Sequence, residues 1–131
     1  MNKPLDFLNL DDLLEIGAAL IPDFRVRDMG LLESASMRPQ TSIYGQDAYP
    51  SFSGKVAALM HSLARNHALI DGNKRLAWSA GRTFCLLNGC DLKMPIHEAE
   101  QLILDIAKGN LDVPELAIEI EKFLLTADED S

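Results

Sequence analysis

Two runs of helical periodicity flank nine residues in the middle of this sequence, and that arrangement restricts the fold more than any other feature. Before the nine, Val56, Leu59, Met60 and Leu63 fall at i, i+3, i+4 and i+7. After them, Leu76, Ala80, Phe84 and Leu87 form a second stripe, and Asn88-Gly89 supplies a C-terminal stop. Between the two stands His67-Ala68-Leu69-Ile70-Asp71-Gly72-Asn73-Lys74-Arg75, which reads as a short inter-helix loop. Ser53 is the expected N-cap of the first helix, a central one flanked by the small residues Ala57, Ala58 and Ala64. His67 continues its register at i+11, so it is expected to emerge from the buried stripe at the helix end.

The rest of the chain supplies scaffold. A helix is expected over 9–20, capped by Asn9 or Asp11 and ended by Ile21-Pro22. A second, short one begins at Asp28, carries Leu31, Leu32 and Ala35, and is closed by Pro39. Two more run over about 97–108 and 114–126, and the acidic tail of residues 128–131 is expected to be frayed and solvated. From Arg38 to Ser53 the period disappears. Turn formers mix there with β-favouring residues, which predicts a loop or small hairpin turning near Gly45, with Tyr44 and Tyr49 as exposed contacts. The sum is an all-α, compact bundle of about six helices with a short flap or hairpin before the central helix. At 131 residues and 47% hydrophobic content, it is expected to be one domain, residues 1–131, around one core.

Several function classes are disfavoured. The N-terminus lacks a basic start followed by an apolar stretch, and no apolar run is long enough to cross a bilayer, so a soluble, cytoplasmic protein without membrane partners is expected. Cys85 and Cys90 form no CxxC and have no histidine at metal spacing; free buried thiols are expected. A formal charge of -8 argues against nucleic acid as a partner. Yet residues 51–82 carry Lys55, Arg65, Lys74, Arg75 and Arg82 against Asp71 alone. A positive centre in an acidic chain suits a small anion held locally, although Lys55 and Arg65 could equally pair with the acidic flanks.

The loop carries the chemistry. Asp71-Gly72-Asn73 precedes a helix N-terminus, where free N–H groups and a partial positive charge attract phosphate. Lys74 adds a point charge and Arg75 a planar fork. Asp71 is placed to hold Mg²⁺ bridging phosphate oxygens, and a plain N-cap is its alternative role. His67 belongs to the side-chain type that exchanges protons near cellular pH, which suits a general base. A base, a metal-type carboxylate, an anion loop and two cations within nine residues fit phosphoryl or nucleotidyl transfer. His61 and His97 lack such company and are expected to be structural; a zinc site from His61, His67 and Asp71 matches no familiar spacing.

The segment HALIDGNKR resembles the Fic/Doc signature, written HPFx[D/E]GNGRxxR in Fic enzymes and HxFx[D/N][A/G]NKR in the Doc branch. His, Asp, Gly, Asn and Arg match in order and spacing, and Lys74 is the Doc-type feature. The resemblance implies ATP and Mg²⁺ as cofactors. It implies that His67 takes the proton from a target hydroxyl, Asp71 holds the metal, Gly72 and Asn73 build the anion pocket, and Lys74 and Arg75 contact phosphates. The non-helical segment from Thr41 to Ala48, with Ser42, Ile43, Tyr44 and Gly45, becomes a flap that lines up the target peptide. Doc-type members imply phosphate transfer to a hydroxyl of a translation factor such as EF-Tu, and a Phd-like antitoxin acting in trans. Most Fic enzymes instead transfer AMP.

This sequence departs from the pattern at three places. Leu69 stands for the usual Phe and is expected still to anchor the loop in the core; Ala68 stands for the Pro of Fic. Trp78 replaces the second Fic arginine, which turns the expectation from AMP transfer toward phosphate transfer. Arg82, one turn on, could substitute in part as a phosphate contact or only pair with an acid. No [S/T]xxxE[G/N] inhibitory helix is present in the sequence. AMP transfer and a catalytically silent protein-binding module are the alternatives.

Overall fold

A reciprocal capping box starts the first helix. In the computed structural model, which describes residues 4–126, the Asn9 side chain accepts from the Asp12 N–H and the Asp12 carboxylate accepts from the Asn9 N–H, each at 2.9 Å. Helix α1 spans Leu10–Leu20; α2, Met29–Met37, is capped by Asp28. A 3-10 turn over Arg38–Gln40 leads to a hairpin of β1, Ser42–Ile43, and β2, Gln46–Asp47. Its two turn residues, Tyr44 and Gly45, have φ of 52° and 78°, the left-handed pair that a two-residue type I′ turn requires. The turn therefore falls where the sequence places it.

Helix α3 spans Phe52–Arg65, α4 Asn73–Leu87, α5 Ile96–Ala107 and α6 Val113–Phe123. These complete the six helices. The cap of α3 is Ser51, not Ser53: the Ser51 hydroxyl accepts from the Gly54 N–H at 3.0 Å, and Ser53 is buried in the first turn. Starting earlier lets Phe52 enter the core, its ring 5.1 Å from that of Phe84. The last helix also differs from expectation. It ends at Phe123, whose carbonyl accepts from the Lys93 N–H, and Leu124–Thr126 form β4, antiparallel to β3, Cys90–Leu92. Leu124 and Leu125 favour helix by themselves, so pairing with a distant strand overrides local propensity.

α3 is the centre of the bundle. Every residue from Ser53 to Ala64 except His61 is buried, and α2, α4, α5 and α6 all pack on it. A helix covered nearly all round needs small residues on its flanks, and Ala57, Ala58 and Ala64 are fully buried. No helix is long and apolar enough to cross a membrane among the described residues. The acidic tail at 128–131 lies outside them.

Two of the central cations are tied to acids. Lys55, 5% exposed, donates to Asp47 Oδ2 at 3.1 Å and to the Tyr49 carbonyl, fastening the hairpin to α3. Arg82 forks onto Asp91 in β3 at 2.9 and 3.1 Å, and Asp91 Oδ1 also accepts from the Leu92 N–H. The Arg82 hydrogen bond holds the Asp91 carboxyl below the ordinary carboxylate range. A depressed acid contributes stability above its unfolded value, and that contribution is lost as pH falls through the folded value. Asp91→Asn is therefore expected to cost about 1 kcal/mol at neutral pH, a modest sum because Arg82 is half-exposed. It is also expected to flatten the acid limb of a melting-temperature profile below about pH 4.

Candidate active site

The loop is made by breaking α3 and locking the chain that follows. Asn66 caps α3, and His67 turns the chain with φ of 54°, a left-handed conformation that costs a non-glycine residue about 1 kcal/mol or more. His67 is exposed and its ring has no hydrogen-bond partner among the described residues. It does not extend the apolar stripe, because the helix stops before reaching it. Ala68 and Leu69 then turn inward, 3% and 1% exposed, so Leu69 does anchor the loop.

A strap between α1 and α2 closes on this anchor. Val26 bridges Leu69 in antiparallel fashion, the Arg27 and Asp28 N–H groups donate to the Ala68 carbonyl at 2.8 and 3.0 Å, and the Ile70 N–H donates to the Arg25 carbonyl at 3.1 Å. From the other side Asn73 folds its amide back. Asn73 Oδ1 accepts from the Leu69 N–H at 2.9 Å, and Nδ2 donates to the Leu69 carbonyl at 3.1 Å. The Asn73 side chain is thus occupied in closing the loop, and what it offers an anion is its backbone N–H.

Gly72 is needed for a reason the sequence did not suggest. It is the N-cap of α4 with φ of 89°, and a Cβ there would lie 2.6 Å from Ile21 Cδ1. The missing side chain leaves room for Ile21 of the core. Asp71 is not the N-cap; it is exposed, and its Oδ1 accepts from the Gly72 N–H at 2.9 Å.

The start of α4 is consequently bare. Leu76 begins the helical ladder by donating to the Gly72 carbonyl, leaving the N–H groups of Asn73, Lys74 and Arg75 with no helical acceptor. No side chain caps this end and no acid sits in its first turn, whereas Asn9, Asp28 and Ser51 cap α1, α2 and α3. Lys74 and Arg75 are exposed and unpaired among the described residues. They border a cleft of about 600 Å³ between α4 and α5, walled by Trp78, Ile96, Ile103 and Leu104.

The other expected site residues lie elsewhere. Arg82 is about two turns further along α4 with Nε and Nη2 donating to Asp91, which realises the acid pairing. Arg65 pairs with no acid among the described residues; it donates to the Ala107 carbonyl at the end of α5. Thr41, Ser42, Ile43, Tyr44 and Gly45 are all exposed, presenting a free strand edge. Tyr49 is not an exposed contact: it is half-buried and its hydroxyl accepts from Arg38 Nε at 2.9 Å. Arg38 also reaches Ser62 Oγ at 2.9 Å and His61 Nδ1 at 3.2 Å. Burial, then the Arg38 charge, hold the His61 imidazole below its ordinary value, which keeps Nδ1 free to accept.

Asp71 fits a magnesium ion only as a partial ligand set. Among the described residues no three His, Cys, Asp or Glu side chains gather where they could hold a metal. One carboxylate oxygen beside a phosphate site, with phosphate and water completing the shell, is how Mg²⁺ is commonly held, so the donor set suits that ion better than zinc.

Residues 7–85 match the sequence model of the Fic/DOC family. Toxin Doc of Mycolicibacterium smegmatis is 44% identical over 125 residues, which covers 93% of this chain and 96% of that protein.

Proposed function

The chain belongs to the Fic/Doc family, and from that premise we propose that it is the toxin of a toxin-antitoxin pair, transferring the γ-phosphate of ATP to a hydroxyl of a protein target. The observation that carries this reading is the bare start of α4 with Lys74 and Arg75 unpaired beside it, a few residues after an exposed His67. Phosphoryl transfer demands mainly positioning and charge stabilisation, and these residues supply both.

His67 accepts the proton of the target hydroxyl as its oxygen attacks the γ-phosphorus. The bond from that phosphorus to the bridging oxygen breaks, and ADP leaves. Backbone N–H groups of Asn73, Lys74 and Arg75, with the Lys74 ammonium and the Arg75 guanidinium, oppose the charge on the phosphate oxygens. Asp71 would hold Mg²⁺, and the ion when bound would neutralise phosphate charge. The hairpin edge at Ser42 and Ile43 aligns an extended target segment by strand pairing. A translation factor such as EF-Tu is the target class, with the reaction in the cytoplasm and a Phd-like antitoxin as the restraining partner.

AMP transfer is the second reading. Trp78 and Arg82 weigh against it, since one carries no charge and the other is closed on Asp91, leaving two free cations along this stretch of α4. Incubation of cell extract with ATP labelled at the γ- or the α-phosphate separates the readings. Protein labelling from the γ-position alone is expected; labelling from the α-position establishes AMP transfer, and none from either leaves a binding module.

A further inference from the structure

We propose that Arg27 is the positioning residue for His67, an inference that rests on the transfer reading above. Arg27 Nε donates to the His67 carbonyl at 2.8 Å, Nη2 donates to the same oxygen, and Nη2 also reaches the Asn66 carbonyl at 3.5 Å. The backbone N–H of Arg27 and that of Asp28 hold the next carbonyl, that of Ala68. The Asn66 and His67 carbonyls lie on the two peptide planes that flank the His67 Cα, so one guanidinium touches both, and holding them sets the direction in which the His67 side chain leaves the backbone.

His67 needs such fixing. Among the described residues, three non-glycine residues have positive φ: Asp23, Tyr44 and His67. Asp23 and Tyr44 are exposed turn residues, and His67 is the one whose carbonyl receives a side-chain donor among the described residues. Left-handed backbone at a non-glycine residue persists only when its surroundings impose it, and sites of chemistry are where such conformations collect. Arg25 pairs with Asp23, but Arg27 has no carboxylate partner among the described residues and gives its fork to carbonyls. A planar guanidinium donating two N–H groups to one oxygen sets an angle as well as a distance, which an ammonium does not.

The test compares Arg27→Ala and Arg27→Lys by initial rates of γ-phosphate transfer and by amide hydrogen exchange. Arg27→Ala is expected to lower kcat on the order of 10- to 100-fold with KM for ATP within about twofold, because misplacing a base disables chemistry without touching the phosphate contacts. Arg27→Lys is expected to recover part of the loss. Exchange of the Ile70 amide, which reports loop closure, is expected to rise about tenfold in Arg27→Ala, while amides inside α3 stay protected. An unchanged kcat overturns the proposal. So does a rise in exchange that spreads equally through α3, which marks Arg27 as a support of the whole fold. If the wild-type protein transfers nothing, the functional reading fails separately, and exchange alone decides whether Arg27 holds the loop: an unchanged Ile70 amide rejects it.

Discussion

Replacing His67 by alanine is expected to slow phosphate transfer by about two to four decades, the usual loss when one oriented base is removed. The fold should barely register the change. His67 is exposed and its ring makes no hydrogen bond among the described residues, so the melting temperature is expected to move by no more than a surface substitution allows, about 0.5 kcal/mol. Affinity for ATP is expected to hold as well, since the proposed phosphate contacts are Asn73, Lys74 and Arg75. Initial rates at saturating ATP, a thermal melt and a nucleotide titration together check the three statements. A rate that survives the substitution would move the proton-accepting role away from His67, whatever the family pattern implies.

Gly72→Ala is expected to act in the opposite order, through the fold first. A left-handed non-glycine residue costs about 1–2 kcal/mol, and inserting a methyl into a packed core costs a further 1–3 kcal/mol. With φ of 89° and a Cβ 2.6 Å from Ile21 Cδ1, both penalties apply at once. The sum corresponds to a melting temperature lower by roughly 10 °C in a chain of this size. Ile21→Val removes the nearest atom and leaves two γ-carbons at 3.0 Å, so the double variant is expected to regain some of the packing part and none of the backbone part. A weaker affinity for ATP in folded Gly72→Ala protein would add an anion-approach role to the packing one.

The helical plan was legible because amphipathic periodicity is a local signal. Val56, Leu59, Met60 and Leu63 announce α3, and the Fic/Doc signature marks the loop, including the burial of Leu69. What was not legible depends on partners far along the chain. β4 exists because Leu124 meets Leu92, and nothing within Leu124–Thr126 says so. Arg82 was left between two roles that only the position of Asp91 decides. The bond by which the Asn73 amide ties Leu69, and the room that Gly72 leaves for Ile21, also depend on the folded chain. Arg27 carried no signal at all, being 40 residues from the carbonyl it holds.

Charge follows the same division. The positive centre read from the sequence has five cations, and tertiary structure assigns Lys55 to Asp47, Arg82 to Asp91 and Arg65 to the end of α5. Lys74 and Arg75 are what remains at the bare end of α4. The proposed phosphate site is therefore narrower than the sequence implied, and its location is correspondingly easier to test.

Titration of magnesium ATP into isotope-labelled protein carrying His67→Ala, followed by backbone amide resonances, tests that location most directly. The largest shifts are expected at the amides of Asn73, Lys74 and Arg75, and they are expected to vanish when Lys74 and Arg75 are both replaced by alanine. Shifts centred on another part of the fold, or no shifts at these three amides at saturating nucleotide, would contradict a phosphate site at the start of α4.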